Sequence, residues 1–320
     1  MRGGLSSICK VLREKERFLI ACHENPEGDA IGSELALALA LRKMGKTATV
    51  LNADPVPRNL LFLPGADTVV FREDGSNYDV AIVVDCGSPD RTGKVEEELR
   101  KPPLLVNIDH HRTNGDRGEL SLVDPEAAAT GILVHEVLTT MGCEIDRDVA
   151  VNIYVAVLTD TGSFHYGNSS PEAFRVAGEM VRAGVDPWEV AEQVYETQSV
   201  SRLRLLGRVL SSLELSAGGR VASITTMLAD LAEFDAGKDA LEGFINYPRS
   251  VLGAEVAVSF REEAGGVFRV SFRSKGRIDV CAVATRFGGG GHRNAAGCSV
   301  PGTLAEVKRK VFEALGAALS

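Results

Sequence analysis

The sequence predicts an α/β protein, in which a doubly wound, mainly parallel sheet is joined by a linker to a smaller α+β domain with a mixed sheet. Apolar runs of strand length alternate with helical patterns in the first part of the chain, as in β-α-β units. From residue 213 this alternation ends, and two Ala-Gly-Gly turns separate runs of alternating polarity. A chain of 320 residues can bury two cores. We therefore predict domains over residues 1–195 and 213–320, with a linker and connecting helix over residues 196–212.

Three predicted strands of the first domain end in polar, titratable residues. Apolar runs over residues 17–22, 78–84 and 104–109 have the composition of buried parallel strands. The carboxyl ends of such strands meet at the edge of a doubly wound sheet where ligands bind. A purely structural turn at that edge would use Asn, Gly or Ser instead. We therefore predict a single site, and the polar residues at these strand ends are His23, Asp85, Asp109, His110 and His111.

The loop after the first strand adds two carboxylates to this set. Glu27 and Asp29 flank a glycine close to His23, just before a predicted helix. Two carboxylates so near an imidazole would repel each other unless a cation lay between them. The alternative is an Asp that caps the helix beside an unrelated His. Asp160 also follows an apolar element, a helix predicted over residues 149–158, and we add it to the candidates.

The candidate ligands are carboxylates and imidazoles, with no thiolate among them. This donor set suits Mn²⁺ or Mg²⁺, and less specifically iron or cobalt, better than structural zinc. Six ligands are too many for one open catalytic ion, whereas two ions about 3.5–4 Å apart would share a carboxylate, activate a hydroxide and clamp the oxygens of a phosphoester. We expect Asp85 to be the shared carboxylate. The six candidates are His23, Glu27, Asp29, Asp85, His110 and Asp160.

The second domain contains a glycine-rich stretch beside basic residues. Successive glycines let a backbone approach closely and turn its N–H groups towards an anion. Four glycines alone would equally fit a flexible loop, and a hairpin edge with Lys and Arg would simply be solvated. A local cluster of basic residues in an acidic protein favours a phosphate-binding face. The candidates are Gly288, Gly289, Gly290, Gly291, His292, Arg293, Asn294 and Arg273.

Composition and charge exclude several classes of function. The formal net charge is -9 and the sequence pI is about 5.3, which argues against long nucleic acid as a ligand, since that requires a broad basic surface. We find no signal peptide and no apolar stretch long enough to span a bilayer, so we expect no membrane partner. Six cysteines without any Cys-x-x-Cys pair predict buried thiols in a reducing cytoplasm.

At these residues the chain resembles the DHH phosphoesterase superfamily. Four motifs of the first domain match that superfamily in order, and two stretches of the second domain resemble the DHH-associated C-terminal domain. Within the superfamily the chain is similar to the group of short-RNA oligoribonucleases (nanoRNases) and pAp phosphatases. The matching segments are residues 23–33, Asp85-Cys86-Gly87, Asp109-His110-His111, Thr159-Asp160-Thr161-Gly162, Arg273-Ser274-Lys275 and residues 288–297.

The resemblance implies roles for individual residues. It implies a site with two Mn²⁺ ions, for which Mg²⁺ or Co²⁺ could substitute. The catalytic pair would be Asp109 and His111, with His111 donating to the substrate phosphate. The pair Arg273-Ser274 and the glycine stretch with His292 would hold the rest of the nucleotide across the cleft between the domains. The implied metal ligands are His23, Asp29, Asp85, His110 and Asp160.

The implied activity is that of a cytoplasmic hydrolase that cleaves very short RNA, with pApA included, to mononucleotides, or removes the 3'-phosphate of pAp. Relatives commonly dimerise, so a homodimer is a candidate assembly. Two residues depart from the family pattern: Glu27 replaces the usual Asp, and His165 stands where relatives often carry Arg. Three alternatives stay open: a soluble inorganic pyrophosphatase, a processive single-strand exonuclease, and an inactive nucleotide-binding regulator in which Glu27 marks the loss of activity.

Overall fold

The computed structural model describes residues 3–72, 75–87, 89–111 and 118–319. Four residues of the predicted motifs, Ser88 and Arg112-Thr113-Asn114, lie outside these ranges. The chain divides into two compact units, Met1–Thr197 and Gln198–Ser320. In the part of the chain that is described, no helix has both the length and the apolarity needed to cross a membrane.

The first unit is built on a five-stranded sheet in which every neighbouring pair is parallel. Its strands are β1 (Arg17–Ala21), β2 (Thr47–Val50), β3 (Val80–Val84), β4 (Leu105–Asp109) and β5 (Leu120–Val123). They lie in the order β2-β1-β3-β4-β5, so the direction of winding reverses between β1 and β3. The predicted doubly wound parallel sheet is therefore confirmed.

Helices cover this sheet and bury its apolar residues. They are α1 (Gly3–Glu14), α2 (Gly28–Lys43), α3 (Glu96–Leu99), α4 (Thr130–Met141), α5 (Arg147–Asp160), α6 (Pro171–Arg182) and α7 (Pro187–Tyr195). Side chains alternate along β1, with Phe18 and Ile20 in the large core beneath α2, α4 and α5 and Leu19 in a smaller core on the opposite face. Ser170 and Asp186 cap α6 and α7 with their side chains, as the Ser-Pro and Asp-Pro pairs predict.

Glycines bring α2, α4 and α5 unusually close together. A Cβ at Gly32 of α2 would lie 2.4 Å from the carbonyl oxygen of Asn152 in α5. A Cβ at Gly131 of α4 would lie 2.5 Å from the Cβ of Ala156 in α5. Only residues without a side chain allow these approaches, and they place the start of α4 beside the start of α2.

The second unit is built on a six-stranded mixed sheet, as predicted. The strands lie in the order β10-β11-β9-β8-β7-β6, in which β7 and β8 pair in parallel and the other neighbours pair antiparallel. The two Ala-Gly-Gly turns join β6 to β7 and β8 to β9, which confirms both predicted hairpins. The elements are α8 (Val200–Leu210), β6 (Glu214–Ser216), β7 (Val221–Thr226), α9 (Leu228–Glu233), α10 (Asn246–Ser250), β8 (Val256–Glu263), β9 (Val267–Ser274), α11 (Val280–Thr285), β10 (Gly290–His292), β11 (Ala295–Pro301) and α12 (Leu304–Leu319).

The structure corrects some predicted boundaries. The apolar run over residues 251–260 predicts a strand, but the strand begins only at Val256, where pairing with Ser274 starts, because residues 251–254 form a turn after α10. The run over residues 47–52 likewise predicts a strand, which ends at Val50. Element β5, which was not predicted, extends the parallel sheet beyond the three strands that carry site residues. The other elements that were not predicted are α1, α3, α9, α10, α11, β10, β11 and α12.

Candidate metal centre

The structure brings the six predicted ligand residues together at one edge of the first sheet. His23 follows β1, Asp85 follows β3 directly and His110 follows β4 directly. Asp29 lies in the first turn of α2, and Asp160 is the last residue of α5. The site therefore lies at the carboxyl ends of β1 and β3, where the winding of the sheet reverses.

The ligand atoms form overlapping groups. Within each group the candidate nitrogen and oxygen atoms all lie within 4.8 Å of one another. Asp85 links two of them, because its Oδ2 lies 3.6 Å from His23 Nε2 and its Oδ1 lies 3.6 Å from His110 Nε2. The groups are His23, Glu27 and Asp85; Asp29, His110 and Asp160; and Asp85, His110 and His111.

The predicted alternative for Asp29, a cap on its own helix beside an unrelated His, does not describe this geometry. Glu27, not Asp29, is the N-cap of α2, and it makes no side-chain cap bond. Glu27 is exposed, yet its carboxylate shares a group with His23 and Asp85. The Glu27 side chain, which is longer than that of the usual Asp, therefore still brings its carboxylate close to His23 and Asp85.

Each of the histidines at the strand ends is oriented by a hydrogen bond at Nδ1. His23 Nδ1 donates to the carbonyl oxygen of Glu24 at 2.7 Å, and His110 Nδ1 donates to that of Ala127 at 3.1 Å. A carbonyl oxygen can only accept, so Nδ1 carries a proton in both rings and Nε2 is the nitrogen that faces the carboxylates. A metal-ligating imidazole needs this orientation, with Nε2 as the nitrogen that gives up its proton to a cation.

Asp109 holds His111 by two hydrogen bonds. Its side chain is fully buried, and its Oδ1 accepts from Nδ1 of His111 at 2.7 Å and from the backbone N–H of His111 at 3.1 Å. The catalytic role predicted for Asp109 stays a prediction; the contacts described here are those that hold His111.

Burial and neighbouring charges shift the pKa values of three groups in the cluster. Burial raises the pKa of Asp29 well above its usual range, and nearby Asp85 adds to this effect. Burial likewise raises the pKa of Asp160 to about 7, even though His110 opposes the shift. Burial disfavours a charged His110, but Asp29, Asp160 and Asp85 outweigh this and raise its pKa to about 9. Carboxylates and an imidazole that retain protons in this way fit a site built for cations, which would replace those protons.

Two residues that hold the carboxylates were not predicted from the sequence. The hydroxyl of Thr130 donates to Asp85 Oδ1 at 2.9 Å, and the side-chain amide of Asn168 donates to Asp160 Oδ2 at 3.3 Å. The sequence signal for Thr130 is faint: α4 begins after three alanines, without a side chain that could cap it.

In the second unit, the predicted binding residues gather at one hairpin. Gly290, Gly291 and His292 form β10, which pairs with β11 across the two-residue turn Arg293-Asn294. This turn is tied to the end of β9, since Ser274 N–H donates to the carbonyl of Asn294 at 2.9 Å and Ser274 Oγ donates to its Oδ1 at 3.1 Å. Arg273 precedes Ser274 on β9, and Nη1 of Arg273 donates to the carbonyl of Phe272.

Close packing against the neighbouring strand explains why glycine is needed at two positions of this stretch, and the sequence did not show this reason. A Cβ at Gly289 would lie 2.2 Å from the carbonyl oxygen of Gly297, and one at Gly291 would lie 2.5 Å from that of Ala295. Gly288 has a φ of +71° just after α11. The sequence predicted that the backbone of these glycines approaches an anion. In the structure, the backbone at Gly289 and Gly291 closely approaches strand β11. Binding of phosphate by this hairpin stays a prediction.

Two further histidines lie outside the three ligand groups. His165 is exposed and belongs to none of the three groups, and His135 is paired with Glu179 at 3.2 Å. The six cysteines are all free thiols, of which Cys143 and Cys281 are only partly buried. The expectation of buried thiols therefore holds for four of the six.

Family models match both units of the chain. The model of the DHH family N-terminal domain matches residues 17–159, and the model of the DHHA1 domain matches residues 221–320. The first match contains five of the six candidate ligands and ends one residue before Asp160.

Whole-chain comparisons agree with these matches. The bifunctional oligoribonuclease and PAP phosphatase NrnA of Thermus thermophilus is 36% identical over 314 residues, which are 96% of this chain and 92% of that protein. An exopolyphosphatase-related protein from Bacteroides fragilis has a TM-score of 0.93 at 28% identity, covering 99% of this chain and 96% of its own. The exonuclease RecJ bound to manganese shares the fold, with a TM-score of 0.52 at 14% identity and coverage of 98% and 94%. The chain therefore belongs to the DHH phosphoesterase family of hydrolases, with a DHH domain followed by a DHHA1 domain.

Proposed function

We propose that this chain is a Mn²⁺-dependent phosphoesterase that hydrolyses very short oligoribonucleotides, including pApA, to mononucleotides and converts pAp to AMP. The observation that carries the proposal is that two buried aspartates, Asp29 and Asp85, and the partly buried Asp160 converge with Nε2 of two histidines at one edge of the first sheet. The NrnA relative of Thermus thermophilus is named as an oligoribonuclease and PAP phosphatase, which supports short RNA and pAp as the substrate class. The manganese in the RecJ structure supports the ion.

The geometry suits two cations that share Asp85. One would use His23 and Glu27, and the other would use Asp29, His110 and Asp160, with one oxygen of Asp85 directed at each. Oxygen and imidazole donors without a thiolate favour Mn²⁺, with Mg²⁺ or Co²⁺ as substitutes. When bound, such ions lower the pKa of water and offset the negative charge of the phosphoryl oxygens.

His111 is proposed to contact the substrate rather than a cation. Its Nδ1 is engaged by Asp109 at 2.7 Å, so Nε2 is the nitrogen from which it would donate to a phosphoryl oxygen. The carboxylate of Asp109 would stabilise the ring when it carries both protons. The scissile phosphate would thus be oriented by a donor that the fold holds in place beside the carboxylates.

The second unit is proposed to bind the rest of the nucleotide. Arg273 and Ser274 end β9, and the exposed turn Arg293-Asn294 is bonded to Ser274, so the candidate donors form one connected patch. Arginine suits phosphate because its planar guanidinium donates two parallel hydrogen bonds. The exposed His292 adds a ring that can stack on a base or donate to a phosphate.

The test is a parallel assay with Mn²⁺ on a ribodinucleotide, pAp, pApA and pyrophosphate. The wild type should release mononucleotide or AMP, and His110→Ala should not. Asp67→Asn, which removes an exposed carboxylate outside all three ligand groups, is the matched control and should behave as the wild type. Turnover of pyrophosphate alone would replace the proposal with a pyrophosphatase, and nucleotide binding without turnover would replace it with a regulator.

A further inference from the structure

Four of the six proposed metal ligands come from four different elements, yet one short segment of chain holds all four. Asp29 lies in α2, Asp85 follows β3, His110 follows β4 and Asp160 ends α5. The segment consists of residues 127–131, which lead into α4 and include its first two residues. It supplies a hydrogen bond, directly or through one side chain, to each of these four ligands.

The start of α4 binds both carboxylate oxygens of Asp29. The N–H of Thr130 donates to Oδ2 at 2.7 Å, and the N–H of Gly131 donates to Oδ1 at 2.9 Å. A helix leaves such N–H groups unpaired in its first turn, and Ala129 at the N-cap has no side chain to accept from them. Asp29 of α2 therefore caps α4, at the end where the helix dipole favours a negative charge.

The hydroxyl of Thr130 orients Asp85. It donates to Oδ1 of Asp85 at 2.9 Å, and the Thr130 side chain is completely buried. Oδ2 of the same carboxylate faces His23 Nε2 at 3.6 Å. The bond to Thr130 therefore fixes the rotation of the carboxylate, so that one oxygen faces each proposed cation.

The carbonyl groups of the same segment hold the other two ligands. Ala127 accepts from His110 Nδ1 at 3.1 Å. The side-chain amide of Asn168 bridges the carbonyl oxygen of Ala128, at 3.0 Å, to the carboxylate of Asp160, at 3.3 Å, and also contacts the Asp160 carbonyl at 3.1 Å. Every residue from 127 to 131 except Ala129 thus contributes a polar contact.

We infer that segment 127–131 is the common positioning segment of the metal centre, and that Thr130 is its principal side chain. The inference rests on the proposed metal site. Thr130 bonds to Asp29, a proposed ligand of one cation, and to Asp85, which the two proposed cations share. A shift of this segment would therefore disturb both cations together. Hydrogen bonds that orient metal ligands are commonly worth 10- to 100-fold in metal affinity.

The test measures Mn²⁺ binding to the metal-free protein by calorimetry. Thr130→Val removes the hydroxyl at nearly constant shape and should weaken Mn²⁺ binding by about 10- to 100-fold. Thr130→Ser keeps the hydroxyl and should restore binding close to that of the wild type. Thr139→Val is the matched control on the same helix, because the hydroxyl of Thr139 donates to the carbonyls of His135 and Glu136 in α4. This control should bind as the wild type does.

A second variant keeps the inference testable if Thr130→Val does not fold. Asn168 is exposed, so Asn168→Ala should fold normally and still weaken Mn²⁺ binding. Circular dichroism and urea unfolding in EDTA check the fold of each variant. Wild-type affinity in both Thr130→Val and Asn168→Ala would overturn the inference. If the wild type itself bound no Mn²⁺, the proposed metal centre would fail instead.

Discussion

At the scale of single residues, the choice of ring nitrogen decides what each histidine can do. His23 and His110 donate from Nδ1 to backbone carbonyls, so Nε2 is left for a cation. His111 donates from Nδ1 to Asp109, which the sequence places two residues before it. The sequence predicted that these residues converge. It did not predict the partner of His110, because Ala127 has no side chain that signals such a role and lies 17 residues away.

Glu34 is a buried carboxyl group next to the site that none of the proposed steps uses. It lies in α2 with no exposed surface, and its Oε1 accepts from the side-chain amide of Asn52 at 2.6 Å. Burial raises its pKa to about 8, against the lowering effect of Asn52. Between about pH 4.5 and 8 the folded protein therefore retains a proton that the unfolded chain has lost.

Because the folded protein retains the proton on Glu34, we expect its stability to depend on pH. Because the folded state binds more protons in this window, the free energy of unfolding should fall as pH rises from about 4.5 to 8. Glu34→Gln removes the titration and keeps an acceptor for Asn52, so its advantage over the wild type should grow with pH. The measurement is urea unfolding in EDTA at pH 5.5 and pH 8.5. Glu192→Gln, at an exposed site on α7, is the control, and parallel curves for Glu34→Gln and the wild type would contradict the prediction.

At the scale of elements, close helix packing explains why the site is compact. Gly28 and Gly32 of α2 and Gly131 of α4 lie where a Cβ would come within 2.6 Å of neighbouring atoms. The approach of these helices lets Asp29 reach the first N–H groups of α4. The sequence indicates helices here, but the apolar spacing of a helix does not say which neighbour it meets.

Two glycines within helices should respond to alanine in opposite directions. Gly32→Ala would place its Cβ 2.4 Å from the backbone oxygen of Asn152, so α2 and α5 must separate, and we expect destabilisation by about 1–3 kcal/mol. Gly178 in α6 has open space at the same position, so Gly178→Ala should stabilise the helix by up to about 1 kcal/mol. Urea unfolding in EDTA measures both. Equal effects of the two substitutions would show that the contact with Asn152 does not limit the packing.

At the scale of the whole molecule, the proposed cation site lies within the first unit. All ligand atoms of the three groups come from residues between His23 and Asp160, inside Met1–Thr197. Mn²⁺ at about 100 times its dissociation constant should therefore add about 2.7 kcal/mol to the stability of that unit. The second unit supplies none of these ligands and should not be stabilised by the ion alone.

Hydrogen exchange measured by mass spectrometry tests this expectation. Mn²⁺ should slow exchange in peptides that contain residues 23–31, 107–111 and 127–131, and leave the sheet of the second unit unchanged. Asp85→Asn should abolish the protection without changing the fold, because Asn tolerates the left-handed φ of +52° found at Asp85. Protection of both units by Mn²⁺, or protection that persists in Asp85→Asn, would count against the proposed site.

The sequence by itself determined the α/β class, the mixed sheet of the second unit and the six residues of the ligand cluster. It could do so because strand ends and apolar runs are local patterns, and because parallel strands deliver their ends to one edge. Only the tertiary structure decided that Thr130 and Asn168 orient the aspartates and that Asp109 orients His111. It also decided that Gly289 and Gly291 face strand β11. The contacts of Thr130 and Asn168 depend on packing between elements 40 or more residues apart in the chain. Those of Asp109, Gly289 and Gly291 are short in sequence, but they depend on a side-chain orientation and a hairpin register that the residue pattern does not record.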